Sequence, residues 1–270
     1  MLVLQSLDMP WTKPRIAVLE ISGAIGAQVR GPEMVRTIKG LREDPRVQAV
    51  VVEIDSPGGS APVSDMIYRA LQRLGKKKPV VAFTGTAALS GGYLISCAAQ
   101  KIVSLPTSLV GSIGVIFTRP VVEELMQKVG VKMVVTHEGK HKAMFQPWRQ
   151  PTPEETAKVQ ALTEEYYDWF VNAVASSRNM TTAAVREIAT GEMYSASKGR
   201  EIGLVDELGD FERATDLAKE LANVVETPRL QWVRPRRPLL ERVLARGGAS
   251  MMAAAFAEFE ARITPRVDFK

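Results

Sequence analysis

Ser90 is the residue around which chemistry could be built. It stands in Leu89-Ser90-Gly91-Gly92-Tyr93, behind the β-branched run Val80-Val81-Ala82-Phe83. That run is bounded by Pro79 and Gly85 and reads as a short buried strand. From Tyr93 to Ala99 the residues are compatible with a helix. Ser90 is therefore expected where a strand-to-helix turn meets the first turn of a helix, close to the positive end of the helix dipole. The unpaired amides of Gly91 and Gly92 would lie alongside. An exposed hydroxyl beside free amides offers acyl transfer a nucleophile and a place for the oxyanion. The same residues also read as an N-cap serine followed by glycines that permit tight helix packing.

Three partners for such a serine compete. His137-Glu138-Gly139-Lys140-His141 matches H-E-x-x-H literally, but zinc binding needs both histidines on one helical face. Here the match follows a β-branched run and carries Gly139 in its middle, which costs a helix roughly 1 kcal/mol relative to Ala. A Ser-His-Asp triad would draw on His137 or His141, yet Ala88 stands where the nucleophile elbow G-x-S-x-G has its first glycine. The third option is a Ser-Lys pair, in which desolvation and nearby hydroxyls keep a lysine neutral enough to act as base. Spacing alone does not choose among the many lysines. Lys142, in His141-Lys142-Ala143-Met144-Phe145, has apolar neighbours that can bury its stem. The single cysteine, Cys97, excludes an internal disulfide framework, and its apolar setting reads as a buried structural thiol.

These residues need elements to hold them. Strands are expected at Arg15–Ile21, Val47–Ile54, Lys101–Ser104 and Lys132–Thr136, with helices at Pro32–Glu43, Val63–Leu74 and Val121–Val129. Thr152 caps a long helix running to about Ser177, with Pro153 at its first position and Glu154 and Glu155 in its first turn. Shorter helices follow at Thr181–Ala189 and Asp210–Leu221. Alternation of strand and helix argues for an α/β core with parallel strands. The turn cluster Asp55-Ser56-Pro57-Gly58-Gly59-Ser60 ends its strand sharply.

Over 270 residues, 46% hydrophobic and 24% charged content describe a globular chain able to bury a large core. No apolar run reaches the roughly 18–20 residues that cross a bilayer, and the N-terminus lacks a basic lead and a long apolar stretch. The net charge of +5 is concentrated beyond Pro228, where nine Lys/Arg face four Asp/Glu, while the first 227 residues carry 26 of each sign. A basic tail on a neutral body suits an anionic surface or partner. Its apolar segment, Met251 to Phe259, reads as an amphipathic helix for a membrane surface or a neighbouring subunit, or as a flexible extension. The interleaved aromatics and glycines of an RNA-binding signature are absent, so no nucleic acid is expected.

SPGG at Ser56–Gly59, SGGY at Ser90–Tyr93, GSIGV at Gly111–Val115 and HKAMFQPW from His141 resemble, in order and spacing, the signal peptide peptidase A family of serine peptidases. The later run Gly191-Glu192-Met193-Tyr194, with Ala196 and Gly203-Leu204-Val205-Asp206, is similar to that family's closing region. The resemblance covers roughly residues 14–222 and matches the short, single-repeat form. It implies an α/β Clp protease/crotonase-like core of repeated strand-strand-helix units. It also implies Ser90 as nucleophile, Lys142 as general base, Ser112 as the hydroxyl that orients the lysine, and the amides of Gly58 and Gly91 as the oxyanion hole. No cofactor or metal is implied. Members form ring-like homo-oligomers with sites at subunit contacts, so Lys142 is expected to serve either its own Ser90 or a neighbour's.

The expected division is an N-terminal extension at 1–13, a peptidase domain at 14–222 and a basic tail at 223–270. The expected activity is endoproteolysis of signal-like or unfolded peptides through an acyl-enzyme, in the cytoplasm or peripherally at a membrane. A crotonase-type acyl-CoA hydratase or hydrolase, or a catalytically silent adaptor at a membrane surface, are the rival expectations. The joint presence of Ser90, Ser112 and Lys142 favours the peptidase over both.

Overall fold

A computed structural model describes residues 14–235; its compact unit ends at Val233. The extension at 1–13 and the tail segment Met251 to Phe259 lie outside the described residues.

The chain opens with β1 (Arg15–Ser22), α1 (Gly31–Glu43), β2 (Val47–Ser56), α2 (Ala61–Gly75), β3 (Val80–Leu89) and α3 (Gly91–Ser96). Next come β4 (Lys101–Ser104), β5 (Leu109–Gly111), α4 (Glu123–Lys128) and α5 (Pro153–Arg178). It closes with α6 (Thr182–Ile188), β6 (Met193–Ser195), α7 (Ala196–Glu201), β7 (Glu207–Leu208), α8 (Phe211–Leu221) and β8 (Arg229–Val233). The strands form one sheet in the order β6-β5-β3-β2-β1-β8, with β4 on β3 and β7 on β4. Every pairing is parallel except β5 with β6.

Parallel strands are covered on both faces, so their sequences run nearly all apolar. In β2, Val50, Val52 and Ile54 join the larger core with α1, α2, α3 and α5, while Ala49 and Val51 turn the other way. That second face, with Ile16, Val81, Phe83 and Val103, packs on Ala214, Leu217 and Ala218 of α8. α5 starts as its residues foretell. Thr152 accepts from the Glu155 amide, and the Glu155 carboxylate accepts from the Thr152 amide, which closes a capping box.

Three expectations are corrected. β3 continues through Gly85 to Leu89, because Ala87–Leu89 gain a second partner in β5. Lys132–Thr136 is not a strand: it is exposed and pairs with nothing in the sheet. A β-branched run without a neighbour to complete its ladder has no reason to stay extended as a strand. β8, in the stretch assigned by sequence to the basic tail, belongs to the sheet and pairs Arg229–Val233 with Arg15–Leu19.

Candidate active site

Parallel pairing brings the carboxyl ends of β2, β3 and β5 to one edge of the sheet, where α/β proteins place their ligands. β3 lies between the other two. The register sets Ser56 opposite Ala88 on one side and Gly111 opposite Leu89 on the other. The loops carrying Gly58, Ser90 and Ser112 therefore meet at one point.

Ser90 is the N-cap of α3 with φ 49° and ψ −119°, and it makes no side-chain capping bond. A non-glycine residue with positive φ is strained and persists only where its surroundings hold it there. Here the Ser90 amide donates to Gly111 O at 2.8 Å and its carbonyl accepts from Leu94 N at 2.9 Å. The hydroxyl has no hydrogen-bond partner among the described residues. As N-cap by position only, Ser90 keeps its Oγ for other use. The packing role of the glycines also holds. A Cβ on Gly91 would fall 2.2 Å from Ser64 Oγ on α2, and one on Gly92 would fall 3.0 Å from Ser56 O.

The SPGG turn closes on the serine from the side of β2. A Cβ on Gly58 would lie 2.8 Å from Ser90 Cβ and 3.0 Å from the Gly91 amide nitrogen. The Gly58 amide is engaged, however: it donates at 3.1 Å to the Oγ of buried Ser56, which in turn donates to Gly23 O at 2.7 Å. With no substrate present, this N–H points inward at Ser56. The next amide, of Gly59, has no acceptor among the described residues, and neither has that of Gly91. Ser56 left no sign of this role in the sequence beyond its place in the turn.

Ser112, on the far side, also holds a positive φ of 50°. Its amide donates to Glu192 O at 2.7 Å, and Gly191 N donates to Ile113 O at 3.1 Å, so the entry to β6 pins it. Gly111, at φ 94°, lets the ring of Tyr194 approach to 3.0 Å of where a Cβ would stand.

Lys142 is placed differently. It is exposed, and its ammonium has no partner among the described residues. The expected burial of its stem is not seen within one chain. Ala143 is buried, but Phe145 is 52% exposed. The backbone around Lys142 is held all the same. Its amide donates to Gly139 O at 3.1 Å, and Arg149 Nη2 donates to Ala143 O at 2.9 Å. No hydrogen bond joins Lys142 to Ser90 or Ser112. A cavity of about 520 Å³ opens beside this loop, with Met126, Val135, Trp148 and Arg149 among its walls.

The H-E-x-x-H stretch forms turns, with Gly139 at φ 90°. His141 Nε2 lies 3.6 Å from Glu154, on α5. Without a helix the two histidines do not share the face that the zinc pattern requires.

Behind the site, α3 is anchored by a buried polar cluster. Tyr93 donates to Leu204 O at 2.9 Å, and Ser177 donates to the carbonyl of Cys97 at 2.6 Å. Burial pushes the Cys97 thiol up to about 11. Arg178 pairs with Asp206 at 2.7 Å and donates to Gly203 O at 2.9 Å. Burial alone would raise the Asp206 carboxyl. The bond to Arg178 and its charge, the Ile102 amide and Lys101 outweigh burial and hold it below the ordinary carboxylate range.

Residues 72–225 match the pattern of peptidase family S49. The chain is 35% identical over 242 residues to "Putative protease slr0021" of Synechocystis sp., covering 89% of this chain and 86% of that protein. The chain belongs to peptidase family S49. It is 30% identical over 245 residues to serine protease SPPA, chloroplastic, of Arabidopsis thaliana, and 33% identical over 218 residues to protease 4 of Haemophilus influenzae. Those matches cover 86% and 77% of this chain but only 36% and 35% of the two relatives. The S49 membership agrees with the signal peptide peptidase A resemblance, and the parallel-dominated sheet is its α/β Clp protease/crotonase-like core. Among the described residues no helix is long and apolar enough to cross a membrane.

Proposed function

We propose that this S49 chain is a serine endopeptidase that cleaves signal-like or unfolded peptides through an acyl-enzyme. The observation that carries the reading is the constrained Ser90: a free hydroxyl at φ 49° on a strand-to-helix turn, with unpaired amides beside it. In this reading Lys142 Nζ takes the Ser90 proton as Oγ attacks the scissile carbonyl carbon. The amides of Gly91 and Gly58 receive the oxyanion, the Gly58 N–H turning to it from Ser56 Oγ. The proton then passes from Lys142 to the departing amine, which leaves as the carbon–nitrogen bond breaks. Water, deprotonated by the same lysine, releases the acyl group and regenerates Ser90. Ser112, beside Ser90 in register, orients the lysine.

Lys142 is best used by a neighbouring copy. Its ammonium stands in solvent at the end of a stretch that exposes Ile116, Leu125, Val129 and Val134 at 90%, 60%, 63% and 91%. A chain rarely leaves so much apolar surface uncovered. Packing against a second copy would bury both that surface and the lysine stem, and desolvation is what a lysine base requires. In this reading the enzyme is a ring-like homo-oligomer with sites at its contacts.

Peptide cleavage by Ser90→Ala, Lys142→Ala and Lys142→Arg tests this, since arginine keeps the charge but cannot act as base. All three are expected to be nearly inactive, whereas His137→Ala and His141→Ala keep most activity. Mixing Ser90→Ala with Lys142→Ala subunits before assembly should restore roughly a quarter of the sites if base and nucleophile come from different copies. A fully active Lys142→Arg enzyme would remove lysine as the base. Mixtures that stay silent would place both groups in one chain.

A further inference from the structure

The loop that carries Lys142 is fastened to the start of α5 by side chains that take no part in the chemistry just described. Arg149 grips Glu155 with both nitrogens of its fork, at 2.8 and 2.5 Å. Glu155 is buried at 7% exposure and is also the N3 residue of the α5 capping box, accepting from the Thr152 amide at 2.9 Å. The same Arg149 Nη2 donates to the carbonyl of Ala143, the residue after Lys142. The next carbonyl, of Met144, accepts from Arg119. Lys140 adds a bond of 2.9 Å to Glu154. Both peptide carbonyls that follow Lys142 are thus held by guanidinium groups, while the Lys142 side chain itself is left free. Such a pattern fixes where a side chain starts without consuming it.

We infer that Arg149 and Glu155 form a positioning pair that aims Lys142, making the helix α5 N-terminus the mount of the general base. A planar bidentate fork locks direction as well as distance, which a lysine at 149 could not reproduce. The Glu155 carboxyl is pulled down to about 2 by the Arg149 bond first and the Thr152 amide second, so the pair stays ionised throughout the range in which a peptidase is assayed. Positioning of this kind acts on the catalytic step: a displacement of about 1 Å at a reacting group can cost on the order of 100-fold in rate.

This inference rests on Lys142 as the base, and its test separates the two. Arg149→Lys keeps the charge but loses the fork and the Ala143 contact. Glu155→Gln keeps a capping-box side chain and loses the ion pair. Each is expected to lower kcat at least about tenfold with KM within about twofold. Each should keep the native oligomer size and circular dichroism. The double variant should be no worse than either single one, because the two act as a unit. In a Lys142→Ala background, adding Arg149→Lys should leave the residual rate of Ser90 acylation by a serine-reactive probe unchanged. Full activity in both single variants, beside an inactive Lys142→Ala, would overturn the positioning role alone. A further large loss in the Lys142→Ala background would also overturn it, since the pair would then act on something other than Lys142. An active Lys142→Ala enzyme would overturn the base assignment itself.

Discussion

Replacing Gly58 by alanine probes the contact between the SPGG turn and Ser90. Two costs arise together. Gly58 sits at φ 98°, and its new Cβ would lie 2.8 Å from Ser90 Cβ, 2.9 Å from Leu89 O and 3.0 Å from Gly91 N. None of these is the flexible end of a long side chain, so relief requires moving the backbone of the site. An L-residue forced into positive φ costs about 1–2 kcal/mol, and overpacking adds about 1–3, giving roughly 2–5 kcal/mol in all. For a domain of this size that is a fall in Tm of about 5–15 °C. Activity should drop further than stability, by on the order of 100-fold, because the atoms displaced are those of the site. Gly40→Ala is the control: nothing stands within 4 Å of its Cβ, it lies inside α1, and it should gain about 0.5–1 kcal/mol. Differential scanning calorimetry and peptide hydrolysis on both variants decide the matter. A Gly58→Ala enzyme with native Tm and rate would show that the turn does not press on Ser90.

Asp206→Asn should cost about 3 kcal/mol in urea unfolding, because it strands the Arg178 guanidinium, whose side chain is 8% exposed. The Asp206 carboxyl is depressed in the folded state. The stability it supplies is therefore complete above the unfolded carboxylate range and lost as pH falls through it, below about pH 4; a variant that keeps the wild-type acid slope would contradict this. Cys97, raised to about 11, should resist alkylation in the native protein at pH 8 and react in urea. Ending the chain after Pro228 removes β8 and should lower Tm, whereas ending it after Pro235 spares the sheet and tests the basic tail by loss of binding to anionic vesicles. Chelators should leave peptide cleavage intact; recovery of a chelated enzyme by zinc would reopen the H-E-x-x-H match.

What could be read from the sequence was what local chemistry encodes. Thr152-Pro153 with Glu155 announces the start of α5 through bonds made within four residues. The valine run of β2 and the small residues around Ser90 likewise carry their own signals. Long-range partners did not show. Lys132–Thr136 has strand composition but no strand beside it, and β3 outlasts Gly85 because β5 arrives from twenty residues further on. The positive φ of Ser112 depends on Glu192, and the engagement of the Gly58 amide depends on which way Ser56 turns. Neither is written in the residues themselves.

The pairing of β1 with both β2 and β8 sets a timetable for synthesis. β1 obtains its first neighbour when the chain has reached Ser56, but its second only when Val233 has been made. At ordinary rates of elongation that interval lasts roughly 10–35 s. Throughout it, one edge of a strand whose Ile16, Ala17, Val18 and Leu19 end fully buried has no native cover. An uncovered apolar edge invites pairing with other nascent chains. The last strand is thus a closing latch, and truncations or stalled ribosomes short of it should yield aggregates even when every residue of the site is present.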